Sequence, residues 1–479
     1  MKKDLDIYTG KLVYKSIEFT FVFNGYKLRL IPPVDKEQEI QHHWLMEEIE
    51  KGVYIPRRPL KLEEPFLIGY CNEDGNTIIF IINENSDIGH YNSVLCVGVD
   101  AYIVSKSKNP IINQISFMCP EINYIHSIGR SFSYTYDSNL IENGVVTIKT
   151  NDYNSTSTKA ETFEVEGKKI EVSFGATRAI GNGSSESPLK LNSFMVFSFE
   201  PSVDYYFIYF LWRIAKQLIQ YLCYRKNVYF SSVTLSTSYG NSKQLSFGEF
   251  HELSDSRCED EELEVLNKGR YIKQEYISGA IGKILQSIVD NSLYLRHVPR
   301  TYRDGLHIDA AKFVMITAAF EWEFRKLYPE GIKKNNKKLI AEKKAGILME
   351  KLIDNNTGEV KTILKYLKKM IGNEPLSSKL IYVGKELGSI IDVFGMPLYS
   401  YNNEKLSYSE MGVRLAAQRN DFAHGNLDKD FNGIALLDVV YLEYILYAMQ
   451  LKCYGISNDN IQRAINDLFQ RHVVLQNHD

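Results

Sequence analysis

At 479 residues the chain is too long for one ordinary hydrophobic core and predicts two or three domains. Its 44% hydrophobic and 24% charged content excludes a disordered chain. A net charge of −3 excludes a globally basic nucleic-acid binder, so any RNA contact must come from a local patch. The six cysteines (Cys71, Cys96, Cys119, Cys223, Cys258 and Cys453) form no Cys-x-x-Cys pair, which excludes a zinc ribbon or a disulfide scaffold and predicts reduced thiols. No apolar stretch follows the lysines of MKKDLDIYTG, so no signal peptide is expected. The expectation is a soluble, cytoplasmic protein without a membrane partner.

The first two hundred residues alternate as half-buried strands do. Ile17 to Phe23 is one such run, and Asn76 to Ile82 follows an Asp74-Gly75 turn signal as the second strand of a hairpin would. Leu95, Val97 and Val99, then Val145 to Ile148, and Ile170 to Phe174 behave alike, and Gly181 to Ser185 reads as a loop. Many short strands predict a β-sandwich-like domain over residues 1–250. Asp35 to Glu50, with His42, His43, Glu47 and Glu48, lacks the His-Glu-x-x-His spacing of a metal site and reads as a surface helix. Tyr205 to Tyr224 has apolar residues on nearly every turn, which predicts a buried helix, and a strand pair is expected around Val228 to Thr237. Arg213 and Lys216 make that helix too polar to span a bilayer.

The acidic run Glu259 to Glu264 reads as a solvated linker, followed by a connecting helix from Tyr271 to Tyr294 that Pro299 closes. Together they make up a 251–300 connector. From residue 301 to 479 helices dominate. They are expected at Ile308–Leu327, Ala345–Ile353, Val360–Ile371, Leu380–Phe394 (stopped by Gly395 and Pro397), Ser409–His424 (Ser409 as N-cap, Gly425 as C′), Ile434–Cys453 and Asn458–Phe469. The fold class is therefore α+β, with a β-rich domain followed by an all-α helical bundle.

Within Gln418-Arg419-Asn420-Asp421-Phe422-Ala423-His424-Gly425-Asn426, an arginine is followed by four residues and a histidine. Two looser pairs, Arg300 to His307 and Arg471 to His478, lie in a loop and at the C-terminus. Only Arg419 and His424 close a helix, have Asn directly after the arginine and precede a long apolar helix. This pattern resembles the HEPN ribonucleases over about residues 300–479. The layout as a whole resembles the ApeA-type family of bacterial anti-phage proteins, in which a β-rich N-terminal domain precedes a HEPN domain. The resemblance implies a metal-independent endoribonuclease without cofactor, acting as a homodimer with two motifs paired across a cleft. It also implies an abortive-infection role in which the 2′-hydroxyl of RNA attacks the adjacent phosphate.

The residue types suit that chemistry. Histidine exchanges protons near neutral pH, and a guanidinium can hold the charge that builds on phosphoryl oxygens. Asn420 reads as a residue that orients the helix end, and Asp421 as a solvent-facing residue within reach of Arg419. Glu321 and Glu323 are candidate supporting acids, with Glu321 preferred. Lys333, Lys334, Lys337 and Lys338 open a basic run that reads either as RNA phosphate contacts or as a solvated face. The alternative function is a catalytically inactive HEPN module that only binds RNA or a protein. The N-terminal domain, which has no catalytic set, is the expected regulator, with a phage-derived trigger as its partner.

Overall fold

The computed structural model describes residues 7–57, 61–85, 88–135, 147–152, 156–181, 189–237, 245–253, 260–424, 431 and 433–475. Of the expectations above, Val145, Val146, Asn182 to Ser185, Cys258, Glu259, Gly425, Asn426 and His478 lie outside these residues. The architecture is α+β. Its contacts separate two units: Met1–Asn267 with Lys273–Glu275 and Ile281–Asp290, and Lys268–Ile272 with Tyr276–Ala280 and Asn291–Asp479. The 251–300 connector thus divides between the two.

The first unit is a correction to the expected sandwich. Among the described residues thirteen strands share one continuous sheet, twelve of them along its main path: β1 (Tyr8–Tyr14), β2 (Ile17–Phe23), β3 (Lys27–Ile31), β4 (Phe66–Cys71), β5 (Thr77–Ile82), β6 (Val94–Ser105), β7 (Ile112–Met118), β8 (Glu161–Val165), β9 (Lys168–Ile180), β10 (Leu189–Ser202), β11 (Ser232–Thr237) and β12 (Leu245–Glu252), with the short strand Gly89–Tyr91 paired to β6. The order β6-β3-β2-β1-β4-β5 returns to β6, because β5 pairs β6 from Thr77↔Ser105 to Ile82↔Val99, and this closes a barrel. The first half of β6 pairs with β3 and its second half with both β5 and β12. The sheet therefore leaves the barrel along β12, β11, β7, β10, β9 and β8. Twelve residues in one strand make this possible, since each half can serve a different neighbour.

The barrel interior is packed. Phe21 and Phe23 of β2 meet Phe80 of β5, their rings 5.3 and 5.0 Å from its ring, and Phe19 belongs to the same buried cluster. Alternation places Ile78, Phe80 and Ile82 inside the barrel and Ile79 and Ile81 on the face that meets helix α1 (Tyr205–Cys223). Asp204 caps α1 by accepting from the Tyr206 and Phe207 N–H groups, and Tyr224 ends it at φ 52. The described cysteines are free thiols, and burial pushes the Cys71 thiol up to about 12.

Three local expectations need correction here. The acidic run is not linker throughout: Asp260–Asn267 forms helix α2, with Glu262 and Leu266 each 1% exposed. The connecting helix expected from Tyr271 is broken at Gly279, which sits at φ 81: a short 3-10 turn at Gln274–Ile277 precedes it, and the α-helix runs only over Ile281–Val289 (α3). Gly282 of α3 approaches the backbone of Thr162 so closely that a Cβ would lie 2.5 Å from its carbonyl oxygen. The Gln286 amide then pairs with both backbone groups of Glu164 on edge strand β8, blunting that edge. Asp35 to Glu50 is helical only to Trp44 and becomes a strand at Met46–Glu50.

The second unit contains α4 (Ala310–Leu327), α5 (Asn336–Asp354), α6 (Gly358–Met370), α7 (Leu376–Ser400), α8 (Tyr408–Ala423), α9 (Gly433–Cys453) and α10 (Asn458–Leu468). Among the described residues, α9 alone is long and apolar enough to cross a bilayer, but 78% of its apolar window is buried. It is the central helix, packed by α4, α7, α8 and α10. Contrary to expectation, α7 continues through Gly395 and Pro397. Gly395 leaves room for the Tyr441 ring, which a Cβ would approach to 2.5 Å, and the buried Leu398 and Tyr399 hold the last turn against the core. Ser407, not Ser409, caps α8 by accepting from the Glu410 N–H.

Gly412 sets how closely α8 approaches α7, since a Cβ there would lie 2.3 Å from the Ser377 Cα, a backbone atom that cannot swing aside. Gly412→Ala is accordingly expected to lower stability by about 1–3 kcal/mol, despite the better helix propensity of Ala, as read from a denaturant midpoint.

Candidate active site

Helix α8 is built to hold one face still. Met411, Leu415, Gln418 and Phe422 recur at helical spacing and are buried. Near its end the Phe422 ring lies 5.6 Å from Phe313 of α4 and 4.7 Å from Phe431. Earlier in the helix, Arg414 donates through Nε and Nη2 to the two carboxylate oxygens of Asp438 on α9, at 2.7 and 2.9 Å. Asp438 is fully buried and also accepts from the Tyr399 hydroxyl of α7 at 2.6 Å. Tyr408 donates to Asp392 and lies 3.0 Å from the Tyr441 hydroxyl, joining the same three helices again. Burial pushes the phenols of Tyr399, Tyr408 and Tyr441 up.

On this scaffold Arg419 donates from Nη1 to Glu321 Oε1 of α4 at 2.8 Å. The other oxygen of Glu321 lies 3.9 Å from Lys379 Nζ of α7. Three helices therefore contribute to one cation–carboxylate–cation cluster, about one third exposed at Arg419 and Glu321 and 15% exposed at Lys379. His424 is the C-cap of α8: its N–H donates to the Asn420 carbonyl at 3.0 Å, its backbone leaves helical geometry at φ −93 and ψ 7, and its side chain is exposed. Asn420 is exposed and Asp421 half-buried.

The two candidate acids of α4 separate cleanly. Glu321 is the one that meets Arg419. Glu323 is 1% exposed and accepts from the Tyr294 N–H at 3.1 Å and from Gln450 at 3.2 Å, and burial pushes its carboxyl up. Lys379 and Arg414 were not singled out from the sequence. Neither belongs to a motif, and only the helix packing reveals their partners.

The basic run is placed on the turn before α5 and its first turn. Lys334 is held by Glu342 at 2.9 Å and the Gly372 carbonyl at 3.3 Å, whereas Lys333, Lys337 and Lys338 are exposed. From Asn336 onward the run is helical.

Comparison with family models, with curated proteins and with solved structures finds no match for this chain.

Proposed function

We propose that the helical unit is a HEPN-type endoribonuclease that cleaves RNA without a metal, with Arg419 and His424 as its catalytic pair. The observation that carries the reading is the Arg419–Glu321 ion pair, which holds the motif arginine near the helix end where His424 lies exposed. In the proposed reaction a basic imidazole takes the proton of an RNA 2′-hydroxyl, which attacks the adjacent phosphorus. The bond to the 5′-oxygen breaks and that oxygen takes a proton from an imidazolium, leaving a 2′,3′-cyclic phosphate and a 5′-hydroxyl. The guanidinium of Arg419 bears the charge that builds on the phosphoryl oxygens.

Five positions along a helix correspond to about 140° of rotation, so Arg419 and His424 do not stack on one another. We place the complete site in a homodimer, where motifs from two chains face one cleft. Glu321 orients Arg419, and Asn420 shapes the helix end. The β-rich unit is assigned the regulatory role, because RNA cleavage in a host cell must stay silent until infection supplies a trigger.

The reading is tested with Glu321. Its pair with Arg419 is partly exposed, so Glu321→Ala should cost less than about 1 kcal/mol of stability. Cleavage of an RNA oligonucleotide should nonetheless fall by roughly 10–100-fold, since a misplaced arginine forfeits its aim. Glu323→Gln should leave the cleavage rate within about threefold while changing the melting temperature. Equal activity in Glu321→Ala and the wild type would count against the site.

A further inference from the structure

The antiparallel pair α5 and α6 has almost no core of its own. Ile353 is the single buried side chain on α5, and α6 buries none. Large aliphatic groups instead face solvent: Ile340, Ile347 and Leu348 on α5 and Ile363, Leu367 and Met370 on α6 are each 44–61% exposed. On α6 these recur at three- and four-residue spacing and form one stripe. The neighbouring face of α6, with Lys361, Leu364 and Lys368, is half-buried, and Lys368 pairs with Glu350 of α5 at 2.5 Å. The base of the hairpin is fastened, because the Ile332 N–H donates to Glu374 at 3.0 Å and Lys334 reaches Glu342 and the Gly372 carbonyl. The stripe is thus displayed by an ordered element.

Residues 333–370 also carry eleven lysines against four acids, on a chain whose net charge is −3. On α5, Lys344 and Lys351 stand three or four positions from Ile347 and Leu348, so the occupant of that face must satisfy both properties. RNA would use the lysines and leave the aliphatic groups in water. A second copy packing the same face against itself would set surplus positive charge against surplus positive charge. A protein partner is a poorer fit to the composition, because interface cores are enriched in aromatic residues and Arg and depleted in Lys. Residues 333–370 contain no Trp, Phe or Arg and one aromatic, Tyr366. An anionic lipid surface fits both: aliphatic side chains enter the acyl boundary, while lysine stems extend their ammonium groups to the headgroups.

We propose that the α5–α6 hairpin docks this protein peripherally on anionic membrane surfaces. Binding is electrostatic at first and is completed by insertion of the α6 stripe, so it weakens with salt and depends on lipid charge.

The test is sedimentation of the full chain with vesicles of phosphatidylcholine alone or mixed with an equal part of phosphatidylglycerol. The expected result is binding to the mixed vesicles at least about tenfold stronger than to the neutral ones, falling as salt rises. Ile363→Glu/Leu367→Glu, both at exposed positions, should abolish sedimentation with an unchanged far-ultraviolet circular dichroism spectrum. Lys344→Ala/Lys351→Ala, exposed on the Ile347–Leu348 side of α5, should weaken it several-fold, and Arg419→Ala should bind as the wild type does, which keeps this outcome independent of the ribonuclease reading. The proposal is overturned by absence of binding to the mixed vesicles, or by binding that ignores the two stripe substitutions. Hairpin-dependent self-association or RNA binding in place of vesicle binding would overturn it equally, by assigning the face to a protein or to RNA.

Discussion

Arg419→Ala and His424→Ala are each expected to reduce RNA cleavage by at least about a hundredfold while leaving the protein folded. For the arginine, the loss is that of a cation opposite developing phosphoryl charge, roughly 3–4 kcal/mol by analogy with oxyanion donors. For the histidine it is general acid–base catalysis, typically about 10²–10⁴-fold. Neither loss would stem from unfolding. His424 is exposed at the end of α8, where truncation costs within about 0.5 kcal/mol. Arg419 makes a partly exposed ion pair with Glu321, worth about 0–1 kcal/mol. Arg419→Lys should recover only part of the activity, since an ammonium lacks the planar fork. If each site draws its arginine from one chain and its histidine from the other, a mixture of the two single variants should regain activity, because one site per heterodimer is intact. An inactive RNA-binding module would respond differently, losing RNA affinity with Arg419→Ala and little with His424→Ala. Measured single-turnover rates separate the two.

The largest stability effect is expected at Arg414, which lies outside the motif. Arg414→Ala should cost about 3–5 kcal/mol, because it leaves the Asp438 carboxylate fully buried without its cation, with the Tyr399 hydroxyl still donating to it. Asp438→Ala should cost less, about 1–3 kcal/mol: the guanidinium it strands is 21% exposed and can take up water, although Tyr399 loses its acceptor. The order of the two effects is the informative part, since a pair whose value lay in mutual attraction alone would lose equally from either side. Urea midpoints for the two variants and the double variant measure it. Both substitutions should also blur the placement of Arg419, so activity should fall in step with the loosening of α8.

Why some of this was legible in the sequence and some was not follows from the range of the forces involved. Helix α1 and the stripe of α4 are local patterns, set by residues three and four apart, and they stand at Tyr205–Cys223 and Ala310–Leu327 within a residue or two of expectation. Barrel closure is not local: the pairing of β5 with β6 is a set of backbone hydrogen bonds, and the alternation of β6 is the same whichever neighbour it pairs with. Alternation in Ile17 to Phe23 is the same whether the strand belongs to a sandwich or to a barrel. Helix α7 outran Gly395 and Pro397 because tertiary packing of Tyr441, Leu398 and Tyr399 outweighs the local cost of those residues. At the site, Glu321 and Glu323 flank one apolar stripe and are equivalent as letters, but two positions on a helix are about 200° apart, so packing sends one to Arg419 and the other to the core. Lys379 carried no signal at all, since a single lysine at the start of a helix becomes notable only when its neighbour across the interface is known.

The most direct test of the proposed activity is to incubate the purified protein, wild type and His424→Ala, with RNA in the presence of EDTA and to identify the new termini. Attack by the 2′-hydroxyl under Arg419 and His424 predicts cleavage that survives EDTA, leaves 2′,3′-cyclic phosphate and 5′-hydroxyl ends, and vanishes in His424→Ala. Cleavage that requires Mg²⁺ and leaves 5′-phosphates, or that persists in His424→Ala, would contradict it.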